Sequence, residues 1–228
     1  MIDVNCFIFS HIHNEENYLE KNLNIAKKAF EQGVQTIIAT SSVTENEDKS
    51  LERKINVLKE RMKKEEINLQ MIVEPLVTID HTYRNKRNRN SNHMENRNLF
   101  IYLSSYEMPL HLTETLFNYQ INGNRIILSS PETYPFFLTN PEELYSLAKK
   151  GILIQLSAAS IVGKNGWRAK RLATELIKRN MAHFVGSNAQ SEQGLLLDKA
   201  YNLINKYYGR EYTEYFQKNA KTITEYKN

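Results

Sequence analysis

At 228 residues, 41% hydrophobic and 25% charged, the chain has room for one sizeable core and is too apolar to remain disordered. Lys and Arg number 30 against 26 Asp and Glu, and a net charge of +4 is too mild to demand a nucleic-acid partner. Cys6 is the single cysteine, which excludes an internal disulfide, and no apolar run approaches the ~20 residues that span a bilayer. The N-terminus also lacks the basic and apolar regions of a secretory signal, so a cytoplasmic protein with no membrane insertion is expected.

Residues 1–9 (MIDVNCFIF) read as a first strand, cut off by a polar segment carrying His11, His13, Asn14, Glu15 and Glu16. A helix is predicted over Glu15 to Gln32, with Leu19, Leu23, Ala26 and Phe30 on one stripe and Gly33 as its stop. Val34 to Thr40 is a β-branched apolar run, as expected of a strand buried on both faces. Leu51, Ile55, Leu58 and Met62 mark a second helix, followed by a strand from Leu69 to Val77.

Further strands are predicted at Asn98 to Ser104 and Arg125 to Ser130, separated by a helix around Leu110 to Tyr119. Asn140 as cap, Pro141 at the first position, Glu142 and Glu143 in the first turn and Gly151 as stop define a helix over 140–150. Strands at Ile152 to Ser157 and Ala182 to Ser187 complete about seven, with helices near Gly166 to Arg179, Ser191 to Lys206 and Glu211 to Asn219. Alternation at this spacing predicts an α/β fold on a parallel sheet, closed or open, within one domain over 1–228.

The stretch from Tyr83 to Arg97 breaks the pattern: it is Asn-rich, carries Arg84, Lys86, Arg87, Arg89 and Arg97, and has no apolar period. It reads as a solvated loop, with polyanion binding through 84–97 as the alternative.

The chain resembles the PHP (polymerase and histidinol phosphatase) superfamily, and within it the bacterial manganese-dependent protein-tyrosine phosphatases of capsule and exopolysaccharide operons. The resemblance rests on Met-Ile-Asp-Val-Asn-Cys-Phe at 1–7, Gln-Gly-Val-x-Thr-Ile-Ile-Ala-Thr ending at Thr40, Ser-Pro-Glu-Thr at 130–133, Asn-Pro-Glu-Glu-Leu-Tyr at 140–145, His-Phe-Val-Gly-Ser-Asn at 183–188 and Lys-Asn-Ala-Lys at 218–221. It implies a distorted seven-stranded (β/α) barrel, in agreement with the strand count.

The family's metal ligands, carried over position by position, fall on residues of other types. Its first-strand His-x-His meets Asn5 and Phe7, and its Asp-Asp-Gly loop meets His13, Asn14 and Glu15. A Pro-His-His meets Ser41, Ser42 and Val43, and a third-strand glutamate meets Leu76. The His and Arg of His-Pro-Glu-Arg meet Ser130 and Thr133, while Pro131 and Glu132 remain. The terminal Ser-Asp-x-His is Ser187, Asn188, Ala189 and Gln190. A multinuclear divalent site needs carboxylates and imidazoles, which most of these side chains are not. The expectation is therefore a catalytically inactive relative with no cofactor where the family uses manganese. It would act as a binding or regulatory protein toward a phosphotyrosine-bearing protein, a bacterial tyrosine kinase or a second copy of itself.

The alternative is a weak or altered metal-dependent phosphoesterase with a relocated site drawn from His11, His13, Glu15, Glu74 and Glu132. Cysteine-based phosphatase chemistry is excluded, because Cys-x5-Arg would need Arg where Ile12 stands; Cys6 reads as a small buried residue. His183 reads as a hydrogen-bonded structural histidine. Lys164, Arg168 and Arg171, with Trp167 and Lys170, are candidate anion-binding residues or a solvated helix face with Trp167 packed on a neighbour. Tyr201, Tyr207, Tyr208, Tyr212 and Tyr215 read as packing residues at helical spacing.

Overall fold

In the computed structural model, residues 1–9, 18–42, 48–80 and 96–225 are described. Seven strands form one parallel sheet in sequence order: β1 (Ile2–Cys6), β2 (Thr36–Ser42), β3 (Gln70–Ile79), β4 (Asn98–Leu103), β5 (Arg125–Ser129), β6 (Leu153–Ser157) and β7 (Phe184–Gly186). Helices α1 (Tyr18–Glu31), α2 (Asp48–Lys64), α3 (Leu112–Ile121), α4 (Pro135–Thr139), α5 (Pro141–Lys149), α6 (Ala158–Val162), α7 (Trp167–Lys178), α8 (Leu197–Tyr208) and α9 (Arg210–Glu225) connect and cover them. The fold is an α/β barrel, nearly closed.

Closure is made where β7 meets β1. Gly186 has no room for a side chain, because a Cβ there would lie 1.9 Å from the Val4 carbonyl oxygen. Beyond the strands, the Asn188 amide donates to Asn5 O at 2.9 Å and the Phe7 amide donates to Ala189 O at 3.1 Å. Residues 187–189 are thereby tied to the end of β1.

Two buried apolar clusters make the core, one inside the barrel and one around it. Val4, Ile38, Phe100, Ile127 and Phe184, one residue from each of five strands, make an apolar layer that Ala220 and Ile223 of α9 complete. The last helix thus plugs the N-terminal mouth. Strand-start side chains and backbone hold it there: Asn98 Nδ2 donates to Ile223 O, Arg125 donates to Thr222 O and Oγ1, and the Ile2 amide donates to Gln217 Oε1. The larger core lies between the sheet and the surrounding helices. Burial of its Leu, Ile and Phe side chains, at ~1.5–3 kcal/mol each, drives the assembly.

Several local expectations are corrected. Phe30 is 39% exposed, and α1 instead buries Ile25, Ala26 and Ala29 with Asn22 and Leu23. Asn140 makes no side-chain cap bond. Leu110 lies before α3 and is largely exposed. The predicted 191–206 helix is broken: a single 3-10 turn at Glu192–Gly194 precedes α8. The short α4 and α6 were not expected, and α9 runs well past Asn219. No described helix is long and apolar enough to cross a membrane.

Candidate active site

In parallel α/β barrels, reactive groups gather at the C-terminal ends of the strands. Here the next residue inward on several strands changes from apolar to polar: Ile38 gives way to Thr40, Ile127 to Ser129 and Leu153 to Gln155. On β1 the change takes a single step. Pairing with β2 shifts between Val4 and Cys6, and Asn5 adopts φ 93°, so its side chain joins the same polar layer.

The polar side chains form one hydrogen-bonded network. Thr40 Oγ1 donates to Asn5 Oδ1 at 2.7 Å, and Asn5 Nδ2 donates to Ser129 Oγ at 3.2 Å and Gln155 Oε1 at 3.0 Å. Gln155 Nε2 donates to Leu156 O at 2.8 Å and Asn188 Oδ1 at 2.9 Å, and Asn188 Nδ2 donates to Ser130 Oγ at 2.7 Å. Asn5, Ser129 and Gln155 are fully buried, Ser130 nearly so and Asn188 partly.

Three members, Asn5, Ser130 and Asn188, have positive φ of 93°, 48° and 54°. Non-glycine residues held there cost of order 1–3 kcal/mol each and persist only where surroundings over-determine them. Asparagine tolerates the left-handed region better than most, which gives a local reason for the residue type at 5 and 188.

Two buried carboxylates brace this layer from outside. Asp3 Oδ1 accepts the Ser187 amide at 2.7 Å, next to Asn188, and Ser187 Oγ accepts the Ala189 amide. Glu132 Oε1 accepts the Ser157 amide at 2.9 Å, two residues beyond Gln155. Burial raises the Asp3 carboxyl to about 6 and the Glu132 carboxyl to about 7, against the lowering effect of those bonds. Tyr134 joins the ends of β4 and β5, its hydroxyl donating to Ser129 O and accepting the Leu103 amide.

The structure brings together Asn5, Ser130 and Asn188 from the motif-based set. Phe7 and Leu76 are half-buried, Leu76 against the apolar layer, and Gln190 is exposed. Glu74 is buried on β3, in register with Thr40 on β2. Ser42 ends β2. His11, His13, Asn14, Glu15 and most of the basic 84–97 stretch lie outside the described residues. Lys164, Arg168 and Arg171 are exposed at or before the start of α7, Arg168 donates to Leu138 O at 3.4 Å, and Trp167 is 71% exposed rather than packed. Cys6 is buried, and burial pushes its thiol up. His183 accepts the Ile154 amide at Nδ1, and burial lowers its pKa, as a neutral structural imidazole requires. Tyr201 packs in the core whereas Tyr207 is exposed.

Residue-by-residue reading missed Thr40, Ser129, Gln155 and Asp3. Their signal was present: Gln155 interrupts an otherwise apolar β6, and a polar residue inside a doubly covered strand must find partners. The network does not by itself fit a metal centre. Its donors are uncharged amides and hydroxyls already bonded to one another, and no group of three or more His, Cys, Asp or Glu among the described residues is arranged to hold an ion.

Tyrosine-protein phosphatase YwqE of Bacillus subtilis (strain 168) is 25% identical over 235 residues, covering 98% of this chain and 91% of its own. CapC of Staphylococcus aureus is 27% identical with the same coverage. A crystal structure described as YwqE from Bacillus subtilis and CpsB from Streptococcus pneumoniae, unique metal-dependent tyrosine phosphatases, superposes with a TM-score of 0.86 at 23% identity over 99% of this chain and 95% of that one. The expectations of an inactive relative and of no cofactor are corrected by these findings: relatives aligned nearly end to end are named as phosphatases and described as metal-dependent. Changed residue types at the motif positions do not by themselves remove a metal site, and His11, His13, Glu15, Glu74 and Glu132, the set of the alternative reading, are of the imidazole and carboxylate types a divalent ion takes. Residues 1–225 match the family model for capsular polysaccharide synthesis, CpsB/CapC, and the chain belongs to that family.

Proposed function

We propose that this protein hydrolyses phosphoric monoesters in a divalent-metal-dependent reaction at the C-terminal end of its barrel, with tyrosine-phosphorylated protein segments as substrates. The observation that carries this reading is the family match across residues 1–225, supported by a named phosphatase aligned over 98% of the chain. The ligands we assign to the metal are His11, His13 and Glu15 of the segment after β1, with the buried Glu74 and Glu132 as carboxylates that balance its charge.

The chain's own residues perform two further tasks. Asp3 holds the loop after β7 and Glu132 the last residue of β6 through backbone amides, and the network beneath fixes the floor on which substrate sits. A neutral, internally bonded floor needs no cation to hold its shape.

The test is phosphate release from a phosphotyrosine peptide by the wild type and by the His11→Ala/His13→Ala double variant, each with manganese and with excess chelator. Release by the wild type that requires the metal and falls at least a hundredfold in the double variant is expected. Equal release by the two proteins would overturn the assignment of ligands, and no release with any divalent metal would overturn the function.

A further inference from the structure

The direction of every hydrogen bond in the network follows from one group. Leu156 O is a backbone carbonyl and can only accept, so the Gln155 atom facing it is Nε2. Gln155 Oε1 then faces Asn5 and must accept from Asn5 Nδ2, which leaves Asn5 Oδ1 to accept from Thr40. On the other side, Gln155 Nε2 also meets Asn188, so that atom is Oδ1, and Asn188 Nδ2 is turned toward Ser130.

Hydrogens remain without an acceptor among the described residues at the fully buried Ser129 hydroxyl and at the open end of the network. Both Gln155 Nε2 hydrogens and both Asn5 Nδ2 hydrogens are engaged. Asn188 Nδ2 gives one hydrogen to Ser130 Oγ and keeps one; the Ser130 hydroxyl accepts that bond and keeps its own. No acceptor among the described residues takes either. Asn188 is partly exposed, and both residues are held at positive φ, Ser130 at 48° and Asn188 at 54°. The solvent end of the network therefore presents two adjacent donors, while Glu132 and Asp3 each turn one oxygen to a backbone amide, at Ser157 and Ser187, and keep Oε2 and Oδ2 without a hydrogen-bond partner among the described residues.

We propose that Ser130 Oγ–H and the free Nδ2–H of Asn188 form an uncharged subsite for a phosphoryl oxygen, binding it without an intervening metal ion. Donors of this kind attract an oxyanion and repel a cation, and because their directions are locked from behind they need no reorganisation on binding. The inference rests on the phosphomonoester reading for its ligand class, and it separates binding from metal-dependent turnover.

The experiment titrates inorganic phosphate into protein stripped and held in excess chelator, followed by calorimetry, for wild type, Ser130→Ala and Asn188→Asp. Saturable binding by wild type is expected, weakened about tenfold in Ser130→Ala by loss of one charge-assisted bond. Asn188→Asp keeps the shape but reverses the polarity, and binding is lost. Thermal melts confirm folding, and Ser130→Ala decides the matter if Asn188→Asp is unfolded. No binding without metal, or binding unchanged in Ser130→Ala, overturns the proposal. Phosphate binding by a protein that never hydrolyses a phosphotyrosine peptide would instead overturn the function and leave the subsite standing.

Discussion

The Asn5 side-chain amide donates to Gln155 Oε1 at 3.0 Å across the inside of the barrel, between residues 150 positions apart in the chain. With its bonds to Ser129 and Thr40, Asn5 joins β1 to β2, β5 and β6. Asn5→Leu would leave the Thr40 hydroxyl and Gln155 Oε1 buried without partners and force a bulkier residue into φ 93°. At ~1–3 kcal/mol for each unpaired buried group, a loss of about 3 kcal/mol or more is expected in urea unfolding. A loss below about 1 kcal/mol would mean the network is not what holds this end of the barrel.

Gly186 is the second fixed point. A methyl group at this position meets the Val4 carbonyl oxygen at 1.9 Å and Gln155 Nε2 at 3.0 Å, and the first of these is backbone that cannot rotate away. Gly186→Ala should separate β7 from β1 and lower stability by about 3 kcal/mol or more. Amide hydrogen exchange should localise the damage, with faster exchange at Phe7 and Asn188, whose amides close the seam.

Stability should also depend on pH through Asp3, which faces the Ser187 amide, Cys6 and Tyr201. Its folded-state value, raised from 3.8 to about 6, means that the folded chain keeps a proton the unfolded chain releases. This contribution is complete below about pH 4, declines as pH rises through 6 and is gone above. Asp3→Asn removes the decline. The difference in unfolding free energy between variant and wild type should shift toward the variant by up to about 3 kcal/mol between pH 4 and pH 8. A difference that does not change with pH would contradict the assignment.

At the opposite mouth, Ile223 of α9 is fully buried against the apolar layer of the barrel. Ile223→Ala should cost about 2–4 kcal/mol in thermal or urea unfolding, as deletion of a core side chain does. A surface-like value under 0.5 kcal/mol would show that the plug is not part of the cooperative unit.

The alternation of strands and helices was legible because a doubly covered parallel strand must be apolar throughout and a surface helix must be striped. β2, β5 and β6 could be placed from runs such as Thr-Ile-Ile-Ala-Thr, and the helix ends at Gly33 and Gly151 from glycines that adopt positive φ. The polar layer was not legible in the same way. Asn5 stood out as a residue of unexpected type, but its partners lie 35, 124 and 150 positions away, and no local pattern encodes such distances. The bulge that turns Asn5 inward is a backbone event at φ 93°, and the seating of α9 in the barrel depends on tertiary contacts to Asn98 and Arg125. Comparing residue types with a family motif picked out Asn5, Ser130 and Asn188, which the structure joins in one network. It misjudged the consequence, because it weighed the changed motif positions above the imidazoles and carboxylates of the alternative reading, His11, His13, Glu15, Glu74 and Glu132.

The most direct test of the central claim is phosphate release from a phosphotyrosine peptide by protein purified without chelator or affinity metal, with metal content determined by element-resolved analysis of the same sample. We predict bound divalent metal at one or more equivalents and turnover that chelator abolishes and manganese restores. Metal-free protein that shows no turnover at any divalent metal concentration would contradict the account.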